Sequence, residues 1–412
     1  MEFGADWHVR PRVKPVRAPQ SIRLALLLAL GGVFAACGGN EATAVSTLKT
    51  GFESRQGSGW TSLREEQSFL RDLDRASDRL RVAVIGRSVQ RRPIRLVTVG
   101  PARTPGRIAA GSSVLFVCTQ HGTEPAGREA CLQAARDAVQ DIGSSTLLVI
   151  PTANPDGLNT DDRGNADGVD VNRDHAELST PETRAIAAVL RAYKPDLVAD
   201  FHEYKEEGGS AVLLSNPDTL HLNVDPSIKE LSSRLKDDAA RALRAKRYRT
   251  GLYPTLTPNA NEGVLRQQAA LRHSPSLLIE TPRRGTLSPL QRVAAHRAVT
   301  RATLKMLRDG RSELAGSTAA AARGAIAEGA AGRGRYYYRS PTRHTDRPPC
   351  GYLLDDSQYR SVKATFGLHD VAATFAGGSW KVATAQVSQP SVGLLLDARS
   401  PQKLTEGDPV AC

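Results

Sequence analysis

The sequence lacks a long apolar run after its first forty residues, and this absence excludes a chain built from several membrane-spanning helices. No internal repeat stands out, so a solenoid of short repeated units is excluded as well. Hydrophobic residues make up 40% of the chain and charged residues 24%, which is ordinary for a soluble globular protein. With 412 residues, the chain is long enough for one large domain and a small appendage.

The body of the chain has little excess charge of either sign, although the formal net charge of the whole chain is +12. Residues 1–36 contain five basic and two acidic side chains, and residues 301–349 contain ten basic and four acidic ones. These two segments hold +9 of the net charge, which leaves +3 for the rest of the chain. Because a groove that tracks phosphates needs a dense basic surface, we expect no nucleic-acid partner.

The first forty residues have the pattern of an export signal. Several basic residues precede an apolar core at 24–36 that is too short to span a bilayer. Residues 34–38 resemble a lipobox in which Cys37 would receive a lipid anchor, and cleavage after the A-x-A-like residues 42–44 is the rival. We therefore predict an exported protein, either a cell-envelope lipoprotein or a periplasmic or extracellular protein. Its membrane contact would be limited to the anchor at Cys37.

Short apolar runs typical of buried strands alternate with segments of helical periodicity in the body of the chain. This alternation predicts an α/β fold with a mixed central β-sheet and helices on both faces. An Ala/Gly/Arg-rich stretch follows that has few large apolar residues, so we predict a partly helical linker there. The predicted parts of the chain are a signal peptide with lipobox over 1–37, a tether over 38–60, the large domain over 61–310, the linker over 311–335, and a small C-terminal β-rich region over 336–412.

The five cysteines suit an exported protein. If Cys37 carries lipid, four remain, and Cys350 and Cys412 bracket the C-terminal region as candidates for a disulfide. Cys118 and Cys131 lack the C-x-x-C spacing of a structural zinc site. We therefore expect buried thiols or a second disulfide at these two positions, rather than metal ligands.

Side chains with metal-binding or catalytic chemistry follow three of the predicted strands. His121 and Glu124 follow one strand, His202 follows a second, and Glu280 ends a third. Open α/β sheets place their ligand sites at the carboxyl ends of strands. Hydrolytic zinc sites use two histidines and one glutamate and leave a position for water. A glutamate in an apolar run, such as Glu280, indicates either a buried ion pair or a functional base with a raised pKa.

A Gly-rich loop between these elements contains Arg163, Asn172 and Arg173. Two arginines and an asparagine suit the binding of carboxylate and carbonyl oxygens. The alternative is a solvated loop with local turns of the Asx type.

Together these elements resemble the zinc metallocarboxypeptidases, the carboxypeptidase A-like superfamily of the peptidase M14 type, and specifically a bacterial exported member. The resemblance extends from about residue 60 to residue 310. The elements that carry it, in family order, are I-G-R-S-V-Q-R-R-P-I at 85–94, H-G-T-E at 121–124, N-P-D-G at 154–157, R-G-N at 163–165, G-V-D-V-N-R at 168–173, His202 at a strand end, and L-L-I-E-T at 277–281.

The resemblance implies one zinc ion bound by His121, Glu124 and His202. It also implies that Asp170 orients His121 through a hydrogen bond, as metal-bound histidines usually require.

The resemblance further implies hydrolysis of C-terminal peptide bonds in a peptide that has a free terminal carboxylate. Glu280 would act as the base toward a zinc-bound water, and Arg163 would polarise the scissile carbonyl. Asn172 and Arg173 would bind the terminal carboxylate of the peptide. The family's substrate-capping tyrosine has no clear counterpart, and Tyr253 is the nearest candidate.

Two other functions compete with the carboxypeptidase. The first is a zinc amidase or deacylase that acts on peptidoglycan peptides or on N-acyl amino acids, with the same zinc chemistry. The second is a catalytically inactive binding module, which is disfavoured because the predicted ligands, base and oxyanion arginine are all present.

Overall fold

The computed structural model describes residues 44–254 and 262–412. The predicted signal peptide and Cys37 therefore lie outside the described residues, as does the first part of the predicted tether. Among the helices of the described residues, none combines the length and the apolar character that crossing a bilayer requires.

An eight-stranded sheet forms the centre of the molecule, in the order β1-β2-β4-β3-β5-β8-β6-β7. The inner strands β4, β3, β5 and β8 are parallel, while β1, β2 and β6 make antiparallel pairings. The predicted mixed sheet is thus confirmed. The strands are β1 Leu80–Arg87, β2 Pro93–Val99, β3 Ser113–Cys118, β4 Thr146–Ile150, β5 Leu197–Tyr204, β6 Ala211–Leu214, β7 Arg249–Leu252 and β8 Ser276–Pro282.

Helices cover both faces of this sheet, as the alternating sequence pattern predicted. Because successive side chains of a strand point to opposite faces, Val114 and Phe116 enter one apolar core and Leu115 and Val117 enter the other. Helices α2, α4, α7 and α9 supply the first core, and α3, α6 and α8 supply the second. The helices are α1 Gly51–Ser54, α2 Leu63–Ala76, α3 Pro105–Ala109, α4 Pro125–Asp141, α5 Pro155–Thr160, α6 Pro181–Tyr193, α7 Pro226–Ala245, α8 Leu265–Leu271, α9 Pro289–Asp309 and α10 Arg311–Ala331.

The segment predicted as a tether differs from that prediction over its described residues. Val45 and Phe52 are fully buried, and the Phe52 ring stacks on Trp60 with ring centroids 5.0 Å apart. The capping box of Thr50 and Glu53 starts helix α1. A few apolar side chains in a polar run are therefore enough to fold this segment onto the sheet's helices.

The segment predicted as a linker also differs, because residues 311–331 form the continuous helix α10. Leu314, Ala321 and Ala325 are buried along one side of it. Their spacing of seven and four residues places them on one helical face. Small alanine side chains allow close packing there, and composition alone gave no sign of this.

A C-terminal region with two small sheets follows α10, as predicted. Its elements are β9 Tyr336–Tyr337, β10 His344–Thr345, β11 Gly351–Leu354, α11 Asp356–His369, β12 Thr374–Ala376, β13 Ser379–Ala383, α12 Gln389–Leu396 and β14 Asp408–Val410. A disulfide joins Cys350 to Cys412, and a second one joins Cys118 to Cys131. Both pairs that the sequence left open are thus bonded.

A buried ion pair ties α2 to α4, the helix that follows Glu124. Arg128 is fully buried, and its Nε donates to Glu66 Oε2 at 2.7 Å. Removing one partner of a buried pair leaves the other charge uncompensated. We expect Glu66→Ala to lower the free energy of unfolding by about 3–5 kcal/mol. The matched change in an exposed ion pair, Asp72→Ala, should alter it by less than about 1 kcal/mol in the same urea titration.

Candidate metal centre

Three side chains from two strand ends converge on one point. His121 Nδ1 lies 2.8 Å from Glu124 Oε1, and His202 Nδ1 lies 2.8 Å from Glu124 Oε2. The two Nδ1 atoms are 3.1 Å apart. All three side chains are buried, and their ligand atoms lie within 4.8 Å of one another. The sequence prediction that these residues meet is therefore realised in the structure.

The parallel register of the sheet explains this convergence. Strands β3 and β5 run side by side, with Cys118 opposite Phe201, so the residues that follow both strands leave the same edge. Strand β8 lies on the other side of β5 and places Glu280 opposite His202. Parallel strands put their carboxyl ends at one edge of the sheet, which is where such folds place their sites.

Glycine allows the loop that carries His121 to pack tightly against the N-P-D-G turn. A Cβ added to Gly122 would lie 1.9 Å from the carbonyl carbon of Gly157. No side chain fits in that space, so this close backbone approach requires glycine at position 122. Pro125 then begins α4 directly after Glu124, which fixes the carboxylate at the start of a helix.

Each histidine forms a hydrogen bond with a carboxylate on the side of the ring that faces away from the cluster. His121 Nε2 lies 2.9 Å from Asp170 Oδ1, and His202 Nε2 lies 2.9 Å from Asp200 Oδ1. Each carboxylate accepts a hydrogen bond from Nε2–H, which leaves each Nδ1 as the ligand atom that faces the cluster. The predicted role of Asp170 has this geometry, whereas the sequence analysis assigned no role to Asp200.

The electrostatics of the cluster favour a bound cation. Burial would raise the pKa of Glu124, but the charges of His121 and His202 hold that pKa well below its usual range. Burial would lower the pKa of His202, yet Asp200 and Glu124 raise it well above its usual value. Protonated imidazole thus balances the buried carboxylates. A divalent cation would replace this proton, since metal binding releases protons from its ligands.

Glu280 lies beside this cluster as a buried carboxylate. Its side chain is 6% exposed, and within the described parts of the chain Oε2 has no hydrogen-bond partner. Burial raises the pKa of Glu280 well above its usual value, His202 opposes the rise, and the negative Glu124 adds to it. An unpartnered buried carboxylate next to a ligand cluster is available for proton transfer.

Arg163 reaches the cluster from the Gly-rich loop. Its Nη1 lies 3.3 Å from Glu124 Oε1 and 3.3 Å from His121 Nδ1. Nη2 donates to Asp170 Oδ2 at 3.0 Å, which anchors the guanidinium. About half of the side chain remains exposed, so the arginine faces the solvent side of the cluster.

Asn172 is buried in the protein, whereas its neighbour Arg173 is exposed. The Asn172 side chain is buried: Nδ2 donates to Asp200 Oδ2 at 3.1 Å, and Oδ1 accepts from Leu265 N at 2.8 Å. Asn172 thus bridges β5 and α8 behind His202. Arg173 is exposed, and its Nη1 donates to the Asn172 carbonyl at 2.7 Å.

Two further residues lie near the site: Gln120, to which the sequence analysis assigned no role, and Tyr253, the candidate capping tyrosine. Gln120 Nε2 donates to Asp200 Oδ1 at 2.7 Å and extends the support of His202. Burial raises the pKa of Tyr253 and the charge of Glu280 raises it further, which places the phenol in the field of that carboxylate. Asp200 and His202 lie two residues apart on β5, and side chains with this spacing point to the same face of a strand. This spacing was the sequence signal for the contact between them.

The donor set fits zinc. Two imidazole nitrogens and one carboxylate are the protein ligands of hydrolytic zinc sites, which leave a further position open. Both histidines have the supporting carboxylate that zinc-bound histidines usually have. The fold and site thus define an α/β protein with a buried His–Glu–His metal centre at the carboxyl edge of its sheet.

Comparison with known proteins finds a family model that matches part of the chain. Residues 66–266 match the family model described as zinc carboxypeptidase, peptidase M14. The chain is 32% identical over 151 residues to the protein named probable carboxypeptidase 2 of Arthroderma benhamiae, which covers 32% of this chain and 29% of the relative. It is 34% identical over 120 residues to carboxypeptidase E of Caenorhabditis elegans, covering 23% of this chain and 25% of that protein. The matched part therefore spans less than a third of the length of these relatives.

Solved structures have the same fold. Carboxypeptidase A from Helicoverpa armigera aligns with a TM-score of 0.50 and 19% identity, covering 67% of this chain and 79% of that one. Thrombin-activatable fibrinolysis inhibitor aligns with a TM-score of 0.50 and 16% identity, covering 66% of this chain and 80% of that one. Residues 66–266 thus carry the match to the zinc carboxypeptidase family, and they include His121, Glu124 and His202.

Proposed function

We propose that the protein is a zinc-dependent metallocarboxypeptidase that hydrolyses the C-terminal peptide bond of peptides. The observation that carries this proposal is the convergence of His121, Glu124 and His202 beside Glu280, whose Oε2 has no hydrogen-bond partner among the described residues. One zinc ion would be held by the first three residues. The match of residues 66–266 to the zinc carboxypeptidase family model supports the same reaction class.

Each side chain of the site would have a separate role in hydrolysis. When bound, zinc supplies Lewis-acid polarisation and lowers the pKa of a water molecule. Glu280 takes a proton from the attacking water on its carboxylate and later returns it to the leaving amine. The Arg163 guanidinium, fixed by Asp170, stabilises the negative charge that develops on the scissile carbonyl oxygen. Tyr253, whose pKa the charge of Glu280 helps to raise, would cover the substrate.

Arg173 would select the free carboxylate at the end of the peptide. Its guanidinium is exposed beside the cluster and makes no ion pair within the described residues. Asn172 would assist by holding the loop in place through its hydrogen bonds with Asp200 and the Leu265 amide. A guanidinium binds carboxylate through two parallel hydrogen bonds, which a neutral amide cannot form in the same way.

Blocked dipeptides and their C-terminal amides test this assignment. We expect hydrolysis of the free acids and a loss of kcat/KM of about 100-fold on the amides, since a charged hydrogen-bonded pair is lost. Arg173→Gln should remove most of this preference, whereas the exposed Arg323→Gln should leave it intact. Equal rates on acids and amides would instead support the zinc amidase or deacylase, which needs no terminal carboxylate.

We also propose that the protein is exported, with Cys37 as a lipid anchor. The support is the basic segment, the short apolar core and the lipobox-like residues 34–38 of the sequence. Metabolic labelling with a fatty acid analogue should mark the full chain and leave a Cys37→Ser variant unlabelled.

A further inference from the structure

Helix α4 begins without the side-chain cap that a helix start usually has. Its N-cap residue is Glu124, whose side chain forms no capping hydrogen bond to the first turn. That carboxylate lies instead against His121 and His202, where it is a candidate metal ligand. Pro125 at the first helical position has no N–H, so Ala126 has the first backbone donor of the helix that needs a partner.

A carboxylate from strand β5 supplies the missing cap. Glu203 Oε1 accepts a hydrogen bond from Ala126 N at 2.8 Å, and both residues are buried. The backbone N–H of Glu203 donates to Glu124 Oε2 at 3.0 Å. Glu203 therefore bonds both to the Glu124 carboxylate and to the helical turn that carries it. A capping box satisfies a helix start in a similar reciprocal way, but with two residues that are close in sequence.

The alternation of side chains along the strand separates the Glu203 carboxylate from the ligand cluster. Glu203 follows His202 in β5, so the two side chains point to opposite faces of the sheet. The register places His202 opposite Glu280 and Glu203 opposite Thr281. The Glu203 side chain thus lies on the face away from His202 and Glu280, and it would act on the metal only through Glu124.

Two further side chains hold the other oxygen of this carboxylate. Arg292 of α9 forms an ion pair with Glu203 Oε2, and Thr281 Oγ1 donates to the same oxygen at 3.3 Å. Arg292 is 7% exposed, and its guanidinium lies over the Trp60 ring, 5.2 Å from the ring centroid. The positive charge of Arg292 compensates the buried carboxylate, and its contact with Oε2 leaves Oε1 free to bind Ala126 N.

We propose that Glu203 is a positioning residue for the metal ligand Glu124, with Arg292 as its counter-charge. It fixes the direction of the Glu124 carboxylate by capping the helical turn that carries it. This inference rests on the proposed zinc function. Loss of a residue that orients a metal ligand typically weakens metal affinity by about 10–100-fold, and we expect a loss of this size without the hydrogen bond between Glu203 and Ala126.

Two double variants of the full-length protein isolate this hydrogen bond. Glu203→Gln with Arg292→Gln removes the ion pair but keeps an amide oxygen for Ala126 N. Glu203→Met with Arg292→Gln has a side chain of similar size that is only a weak acceptor. In a competition titration with zinc and a chelator, the Met variant should bind zinc about 10–100-fold more weakly than the Gln variant. The visible absorption of bound Co²⁺, which depends on ligand geometry, should also differ between the two.

The matched structural control is Glu129→Gln. Glu129 is a fully buried carboxylate of the same helix, and its Oε1 accepts from Thr61 N at 2.8 Å. This variant should lower the midpoint of urea unfolding but leave the zinc affinity and the Co²⁺ spectrum unchanged. Should the Met variant fail to fold, Glu203→Asp decides. Its carboxylate is one methylene shorter and should not reach Arg292 and Ala126 at once, so zinc binding should weaken about tenfold relative to the unchanged protein.

The outcomes separate this proposal from the proposed function. An unchanged protein that binds zinc, together with equal zinc affinities in the two double variants, whether high or low, would overturn the role of Glu203 alone. An unchanged protein that binds no zinc would overturn the proposed function and the role of Glu203 with it.

Discussion

Replacing Glu280 with glutamine is expected to lower kcat for peptide hydrolysis by about 10²–10⁴-fold, the usual contribution of a general base. The amide has the size of the carboxylate but cannot accept the proton of the attacking water. Because Glu280 is buried and its Oε2 lacks a partner within the described residues, the neutral side chain should not destabilise the fold. Zinc content and KM should therefore stay close to those of the unchanged protein.

The matched control is Glu207→Gln, which removes a carboxylate that pairs with Arg284 at 3.2 Å on the exposed surface. It should leave kcat unchanged, because both partners of that pair are largely solvated. A Glu280→Gln protein that binds zinc and hydrolyses peptides at the full rate would remove Glu280 from the mechanism.

Replacing His202 with alanine is expected to release the metal and to abolish hydrolysis. One of three protein ligands is lost, and Glu124 Oε2 loses its 2.8 Å contact with the imidazole. Since loss of a supporting outer residue already weakens metal affinity 10–100-fold, loss of a direct ligand should weaken it by more than about 100-fold. Zinc measured by elemental analysis after dialysis should fall from one ion per chain to near zero.

Two variants calibrate that result. Asp200→Asn keeps His202 but weakens its support, so we expect an intermediate loss of zinc affinity of about 10–100-fold. His344→Ala, in the C-terminal region, should retain zinc fully. Retention of one ion per chain by His202→Ala would show that the metal lies elsewhere.

The parts of the fold that the sequence predicted are those in which side-chain pattern and burial agree. Strands β3, β4, β5 and β8 consist of short apolar runs, and all of their residues but one are buried. The exception is Tyr204 at the end of β5, which is half-buried. Strands of this kind are recognised by length and composition, because both faces are covered by helices.

The parts that were not predicted depend on contacts distant in sequence. Helix α10 has no strong apolar stripe, and its alanines become core residues only because α7 and the C-terminal region pack beside it. The segment around Phe52 folds because Trp60 and α4 provide a surface for it. Local composition cannot show such surfaces, so both segments resembled linkers.

The site was predictable where its residues lie at strand ends. His121 and Glu124 follow β3, His202 and Glu280 lie near the carboxyl ends of β5 and β8, and parallel register brings them together. The bridging position of Asn172, in contrast, depends on the Leu265 amide 93 residues away. The positions of the candidate ligands can be predicted from the strands that carry them. The hydrogen bonds that orient these ligands join residues distant in sequence, so they are visible only in the folded structure.

The most direct test of the metal centre is a crystal structure of the zinc-loaded protein with anomalous data collected at the zinc edge. We predict one anomalous peak, within bonding distance of His121 Nδ1, His202 Nδ1 and a Glu124 carboxylate oxygen. A protein that carries zinc but shows its peak away from these three atoms, or shows none there, would contradict the account.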